Sequence, residues 1–175
     1  MIAIKIKESC PVEGSKFFGA AFLPDKLIES DEFSFGEVFI CQINLSELAP
    51  FDKKGLLPDS GWLYFFMDFD CKPVKGIVRY SESADAYTFF NEDAELDYDV
   101  ETEYAVEFSD GEADNGVFAG HKKLYDNEVC LLKFTPDTLG DMDFLSGTNG
   151  SIMFVIDRES LSKRQFDKAF LINVD

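Results

Sequence analysis

Cys41-Gln42-Ile43-Asn44-Leu45 and Gly61-Trp62-Leu63-Tyr64-Phe65-Phe66-Met67-Asp68 are the two stretches that decide the fold of this chain. Each is typical of a β-strand, and the loop between them carries Pro50, Gly55 and Pro58. The second stretch is almost wholly apolar before its closing aspartate, which indicates a strand covered on both faces.

The same pattern returns 89 residues further along the sequence. Cys130-Leu131-Leu132-Lys133-Phe134 matches the first stretch, and residues 150–157 match the second. The identical pairs at this shift are Cys41/Cys130, Asp52/Asp141, Leu56/Leu145, Gly61/Gly150, Phe65/Phe154 and Asp68/Asp157. The shared order of strand, loop, glycine, apolar run and aspartate predicts an internal duplication.

The fold class predicted from these patterns is mainly β, that is, α+β with little helix. We expect one domain over residues 1–175, with two related antiparallel sheet units at about 37–80 and 128–174. The chain contains 19 phenylalanines among 175 residues, so these units are expected to pack around a Phe-rich core. One short helix is expected at 160–166, capped by Asp157 or Ser160.

The balance of charge limits the classes of partner. Asp and Glu number 34 against 16 Lys and Arg, giving a net charge of −18. Such a surface repels phosphate, so we expect no nucleic-acid partner and no anionic membrane, and no apolar run reaches the ~18 residues of a membrane span. The first seven residues alternate as a strand does instead of forming a secretion signal, and the four cysteines are isolated. These features predict a cytoplasmic protein with reduced thiols.

A row of acids follows the most regular alternation in the chain. From Leu96 to Phe108, apolar residues occupy alternate positions and predict one long or bulged strand with a buried face. The acids predicted on its solvent face are Asp97, Asp99, Glu101, Glu103 and Glu107. Such a row either prevents edge-to-edge aggregation or forms a docking face for a basic protein.

No catalytic constellation is visible in the sequence. His121 is the only histidine, so a triad would have to include it, yet it lies beside two lysines in a predicted loop, and there is no GxSxG motif. Cysteine and histidine spacing does not suit zinc, and there is no glycine-rich phosphate loop, so no cofactor is expected. A weak calcium site is conceivable at Asp110, Glu112 and Asp114, although the EF-hand pattern fails at Asn115 and His121.

A second candidate site consists of polar residues inside apolar strands. Gln42, Asn44 and Trp62 are the candidates to line a pocket between the two sheet units. The alternative is that Gln42 and Asn44 bond the backbone or satisfy a bulge.

Several of these segments resemble the YwqG-like family of uncharacterised bacterial proteins. The resemblance rests on residues 15–24, on Phe39 to Leu48 with its Gln-Ile-Asn-Leu ending, on Leu57-Pro58 with Gly61 to Phe66, on Val78-Arg79-Tyr80, and on residues 150–166. The chain starts directly at a strand, and residues 119–125 match the family's glycine-rich segment only loosely. The resemblance implies a fold and a bacterial cytosolic origin, and it implies no chemistry.

Three functions are compatible with this sequence. The first is a non-enzymatic cytosolic interaction module whose acidic row docks a basic protein, and a concrete version is an immunity-type inhibitor of a basic toxin. The alternative class is a small-molecule binder or enzyme with a pocket between the sheet units. The oligomeric state stays open.

Overall fold

The fold of the chain was taken from a computed structural model, which describes residues 1–7, 13–30, 33–34, 36–82, 87–90, 103–139 and 150–174. The strands are β1 (Ile2–Lys7), β2 (Lys16–Phe17), β3 (Ala21–Pro24), β4 (Glu37–Asn44), β5 (Trp62–Asp68), β6 (Lys75–Ser81), β7 (Tyr87–Phe90), β8 (Tyr104–Asp110), β9 (Gly116–Val117), β10 (Glu128–Phe134), β11 (Ser151–Asp157) and β12 (Phe170–Val174). The helices are α1 (Asp25–Ser30), α2 (Leu45–Leu48) and α3 (Arg158–Ser162), with 3-10 turns at Ala49–Phe51, Pro136–Thr138 and Phe166–Lys168. The predicted mainly β fold is confirmed.

Ten of the strands form one antiparallel sheet that is nearly closed into a barrel. Their order is β12-β11-β10-β9-β1-β8-β2-β4-β5-β6, while β3 and β7 form a separate two-stranded ladder. The two outer strands approach each other where Gly76 of β6 lies against Leu171 of β12. In the part of the chain covered here, the helices are too short and too polar to cross a membrane.

The arrangement of strands is similar on the two sides of the central pair, β1 and β8. On one side lies the first half-sheet, β8-β2-β4-β5-β6, and on the other the second half-sheet, β1-β9-β10-β11-β12. Each half ends in a three-strand meander, and each meander has one bulge. The bulges lie between Phe39 and Cys41 in β4 and between Cys130 and Leu132 in β10.

These bulges correct the residue matching made from the sequence. The shift of 89 residues holds for β5 and β11, because Trp62–Asp68 and Ser151–Asp157 have the same length and follow matched glycines. In the preceding strands the bulges match Phe39 with Cys130, so Cys41 does not correspond to Cys130. That the two halves arose by duplication stays a prediction.

Similar hydrogen bonds join the residue after β2 and the residue after β9 to the bulged segment of the neighbouring strand. Phe18 and Phe118 both have a φ of 56°, and their N–H groups donate to the carbonyls of Ile40 and Cys130, respectively. This backbone conformation is rare for a bulky side chain, so its occurrence after both β2 and β9 reflects the same local geometry.

Ser15 and Asn115 make a second matched set of contacts. Each side chain accepts the backbone N–H at the end of its meander's first strand, that of Asn44 or Thr135. Each backbone carbonyl accepts from the strand that lies on the other side, from Val106 of β8 or Ile4 of β1.

The first strand of each half comes from the opposite half of the sequence. β1 is N-terminal but pairs with β8 and β9, whereas β8 comes later and pairs with β2. Lys5 lies opposite Glu107 at the centre of this exchange. The two halves are therefore joined through their innermost strands.

Aromatic packing fills the space inside the curved sheet. Phe65 of β5 and Phe154 of β11 are fully buried and meet edge to face, with ring centroids 5.1 Å apart. The predicted Phe-rich core is thus shared by both meanders. A second apolar cluster lies on the outer face of β4 and β5 beneath β3, where Trp62 stacks on Tyr64.

Candidate functional site

A cleft of about 510 Å³ opens where the two half-sheets meet. One wall is the loop from Phe51 to Leu56, which precedes β5, and the floor includes Met1, Ile2 and Asp110 at the ends of β1 and β8. The other wall comes from the second half-sheet and consists of Phe118, Ala119, Gly120, His121, Leu124, Glu128, Val129, Cys130 and Arg158. The cleft is therefore built from both halves.

The loop that forms the first wall is held by its own aspartate. The Asp52 carboxylate accepts the backbone N–H groups of Lys54, at 3.3 Å, and Leu57, at 2.9 Å. Lys53 then donates to the Asp110 carboxylate of β8 at 2.7 Å. The turn thus presents two adjacent lysines along the cleft.

The opposite wall is ordered by short polar contacts. The Nδ1 atom of His121 accepts the N–H of Lys123 at 3.1 Å, so the neutral ring carries its proton on Nε2. Glu128 accepts the N–H of Tyr125 at 2.9 Å, and the Nε atom of Arg158 donates to the carbonyl of Asp126 at 3.3 Å. These bonds fix the backbone around the ring and the guanidinium group.

The electrostatics of the cleft differ from those of the whole protein. Lys53, Lys54 and Arg158 bring three positive charges into one place on a chain with a net charge of −18. The three acids in the lining, Asp52, Asp110 and Glu128, already accept hydrogen bonds from protein groups. Among the residues that the structure describes, no acid pairs with Lys54 or with the guanidinium of Arg158.

Cys130 lies at the base of the cleft and is buried. Burial raises the pKa of its thiol to about 12, so the thiol stays protonated at neutral pH. His121 forms no hydrogen bond to a cysteine within the described part of the chain. The arrangement can bind a ligand, and it offers no thiolate for nucleophilic attack.

The predicted acidic row is only partly in view, because Asp97, Asp99 and Glu101 lie outside the described residues. The strand predicted from Leu96 is seen only as β8, which begins at Tyr104. Glu107 is about half exposed and pairs with Lys7 at 3.1 Å.

Glu103 corrects the expectation that all five acids face solvent. Its carboxylate accepts from the fully buried Lys16 ammonium at 2.9 Å and from the N–H of Ala20 at 3.2 Å. The alternation of the strand could not reveal this pair, because its cation comes from β2, far away in the sequence.

The three predicted pocket residues lie elsewhere and do not line this cleft. Gln42 is buried, with its side chain accepting from the Phe22 N–H at 3.0 Å and donating to the Gly14 carbonyl at 2.9 Å. Asn44 caps α2 by accepting the Ser46 N–H at 3.0 Å. Trp62 packs in the second apolar cluster. Two of the three thus bond the backbone, and a ligand-binding role for them stays a prediction.

The residues considered for calcium follow the end of β8. Asp110 pairs with Lys53, while Glu112 and Asp114 are exposed. Within the described ranges, no group of three or more His, Cys, Asp or Glu side chains is arranged to hold a metal ion.

The lysines and the arginine of the cleft were missed at the sequence level. Lys53-Lys54 in the loop between the two defining strands was a usable signal, since adjacent lysines are uncommon in so acidic a chain. Arg158 gave no such signal, because it lies more than a hundred residues away and reaches the cleft only through the exchanged topology.

Two comparisons with known proteins bear on identity. The comparison with curated proteins found no match. A family model described as a domain of unknown function, DUF1963, matches residues 15–114. This range runs from β2 to just beyond β8 and thus includes every strand of the first half-sheet, together with the Phe51–Leu56 wall of the cleft. Because the match covers more than half of the 175 residues, the chain belongs to the DUF1963 family, a domain family of unknown function.

Proposed function

We propose that this protein is a non-enzymatic binding domain that holds a small molecule in the cleft between its two half-sheets. The observation that carries the proposal is the cleft itself, about 510 Å³ in volume, with two lining cations, Lys54 and Arg158, that have no acidic partner among the described residues. Clefts of roughly 300–1,000 Å³ with a few polar groups are the usual size for small ligands.

The chemistry of the lining supports binding over catalysis. The Cys130 thiol is protonated at neutral pH. The Nδ1 atom of His121 accepts the backbone N–H of Lys123, whereas in a triad it would donate to an orienting carboxylate. A nucleophile held by a base and an orienting acid is what acyl-transfer sites require.

The test is a thermal-shift screen of a pool of small polar and amphipathic metabolites. We expect at least one compound to raise the melting temperature of the wild-type protein, and its effect to be lost in a Lys54→Ala/Arg158→Ala variant. Lys163→Ala is the matched control, because Lys163 is an exposed lysine paired within α3 and its ending turn. A pool without any stabilising compound, or equal shifts in wild type and double variant, would overturn the proposal.

A second candidate, favoured by the net charge of −18, is a protein-interaction module that docks a basic protein. Its concrete form is a YwqG-like bacterial cytosolic protein of the immunity type, which neutralises a basic toxin. The acidic row would supply the docking face, and Glu107 is the exposed member seen in the structure. Opposite charge on the partner would relieve repulsion within the row and accelerate association.

The test for this candidate measures the binding of lysozyme, as a basic probe, at low and high salt. Asp97→Asn/Asp99→Asn/Glu101→Gln/Glu107→Gln should weaken binding, whereas an equal loss of charge at Glu13, Asp59, Glu112 and Asp126 should not. Glu103 is left intact because it holds Lys16. Equal weakening by both variants would show unspecific attraction to a negative surface and reject the docking face.

A further inference from the structure

The backbone turn after β2 and the equivalent turn after β9 differ in what covers them, and the difference indicates what the cleft binds. In the first half-sheet this place is filled by the protein. The Lys16 ammonium of β2 is fully buried and contacts the Glu103 carboxylate at 2.9 Å. The same carboxylate oxygen accepts the Ala20 N–H at 3.2 Å, so an anion covers the turn that follows Phe18.

Strand pairing identifies the equivalent residues of the second half-sheet. Lys16 pairs with Gln42 of β4 and Ala105 of β8, as Gly116 pairs with Lys133 of β10 and Ala3 of β1. Gly116 therefore occupies the position of Lys16.

The acid is replaced in the same way. Glu103 precedes Tyr104, which pairs with Phe17, and Met1 precedes Ile2, which pairs with Val117. Met1 thus occupies the position of Glu103, and it lies so close to Gly116 that a Cβ added there would be 2.5 Å from the Met1 Cε. An apolar contact stands where the first half-sheet has an ion pair.

The turn is consequently covered in one half and open in the other. By the same register, Gly120 corresponds to Ala20, whose N–H is covered by the Glu103 carboxylate. Gly120 is exposed instead, and a Cβ added to it would meet no atom within 4 Å. Gly120 belongs to the turn after Phe118 and lines the cleft. The backbone position that donates to the Glu103 carboxylate in the first half-sheet is therefore accessible in the second, at Gly120.

The cleft supplies the other parts of a carboxylate site. Lys54 and Arg158 line it and can replace the buried ammonium of Lys16, with the fork of the guanidinium suited to a planar carboxylate. Apolar side chains line the same cleft, namely Met1, Ile2, Phe51, Leu56, Phe118 and Leu124. They suit an aliphatic or aromatic body attached to the acid.

We infer that the cleft binds a small monocarboxylic acid with an apolar body, its carboxylate lying over the turn at Gly120 and its body against Met1 and Phe118. The inference rests on the proposed binding function and names the class of ligand. Lys54 and Arg158 hold the anion, as Lys16 holds Glu103 in the first half-sheet.

The experiment titrates four acids, acetate, isovalerate, phenylacetate and indole-3-acetate, each against its neutral amide, with inorganic phosphate in parallel. Binding is followed by the backbone amide resonances of the ¹⁵N-labelled full chain. We expect at least one acid to shift the Gly120 and His121 resonances saturably and to bind about tenfold or more tightly than its amide, which is the loss expected when a charged hydrogen bond is removed.

Three variants make the test specific. Lys54→Gln and Arg158→Gln should each weaken the binding of the acid by about tenfold. Gly120→Leu should block it by filling the open space, whereas Lys163→Gln should leave it unchanged. The spectra also show whether each variant is folded.

The outcomes separate the two proposals. Acid and amide of equal affinity, or phosphate tighter than every acid, would overturn the carboxylate assignment and leave the binding function standing. If no acid binds but a neutral compound stabilises the protein in the metabolite screen, the carboxylate assignment is again overturned and the binding function stands. Absence of any shift at Gly120 and His121 together with an empty metabolite screen would reject both.

Discussion

Among the described residues, the buried ammonium of Lys16 contacts one carboxylate, that of Glu103, and this allows a test at the level of one residue. Lys16→Met should lower the free energy of unfolding by about 3 kcal/mol, because it leaves Glu103 largely desolvated without its cation. The Glu103 side chain is 27% exposed, which places the cost at the lower end for buried pairs. Urea unfolding of the single and double variants measures it, and Lys16→Met/Glu103→Gln should recover much of the loss.

Lys7 provides the matched control for that prediction. It also pairs with a glutamate of β8, Glu107, but both side chains are about half exposed. Lys7→Met should therefore cost at most about 0.5 kcal/mol. Equal losses at Lys7 and Lys16 would mean that burial does not govern the strength of these pairs.

Single residues also show where reading the sequence was limited. Asn44 and Gln42 were recognised as polar residues within an apolar strand, and the structure gives both of them backbone groups to bond. Whether such a side chain bonds the backbone or a ligand depends on where its partner lies. The partner of the Gln42 amide is the carbonyl of Gly14, which is not part of the strands that pair with β4. A local pattern carries no information about such a contact.

At the level of elements, the approach of β6 to β12 depends on the absence of a side chain at Gly76. A Cβ there would lie 2.5 Å from the Cγ of Leu171 and 3.1 Å from a ring carbon of Phe154. Gly76→Val should destabilise the fold by about 1–3 kcal/mol through overpacking. Thermal unfolding measures the loss.

Gly120→Ala is the control for the Gly76→Val variant, since a Cβ at Gly120 meets no atom within 4 Å. The alanine should be tolerated to within about 0.5 kcal/mol. If Gly76→Val unfolds at the same temperature as Gly120→Ala, the seam between β6 and β12 is looser than described.

The strands could be predicted from the sequence because their side chains alternate between apolar and polar or are apolar throughout. Of the two caps predicted for a helix at 160–166, Asp157 is the one observed, and its carboxylate accepts the Ser160 N–H at 2.9 Å. The helix itself begins and ends earlier than predicted, at Arg158–Ser162. The match of Cys41 with Cys130 failed because an ungapped comparison fixed the glycines and ignored a two-residue difference in the preceding loop. Loops absorb such differences without disturbing the strands that they join.

For the whole molecule, the net charge of −18 predicts a stability that depends on salt. Raising NaCl from 0.01 to 0.15 M shortens the Debye length from about 30 Å to about 8 Å and screens repulsion among the acids. We expect the melting temperature to rise by about 3 °C, which corresponds to roughly 1 kcal/mol for a chain of this size. Differential scanning calorimetry measures this shift.

Sucrose at matched viscosity is the control for unspecific effects of the added solute. A melting temperature that falls or stays constant with NaCl would show that attractive exposed pairs, such as those of Lys7 and Lys53, outweigh the general repulsion.

The exchange of β1 and β8 between the half-sheets could not be predicted from the sequence. Alternation predicts that both segments are strands, and the recurring pattern predicts two similar units, but neither tells which half-sheet a strand joins. The same limit applies to the cleft, because Lys54 and Arg158 come from different half-sheets and both line it only in the folded chain.

The same exchange has a consequence for biosynthesis. β1 is translated before its ladder neighbours β8 and β9, which lie within residues 104–117. The nascent chain therefore carries an isoleucine-rich strand without its ladder neighbours until residues 104–117 emerge, and assembly of the sheet is delayed until then.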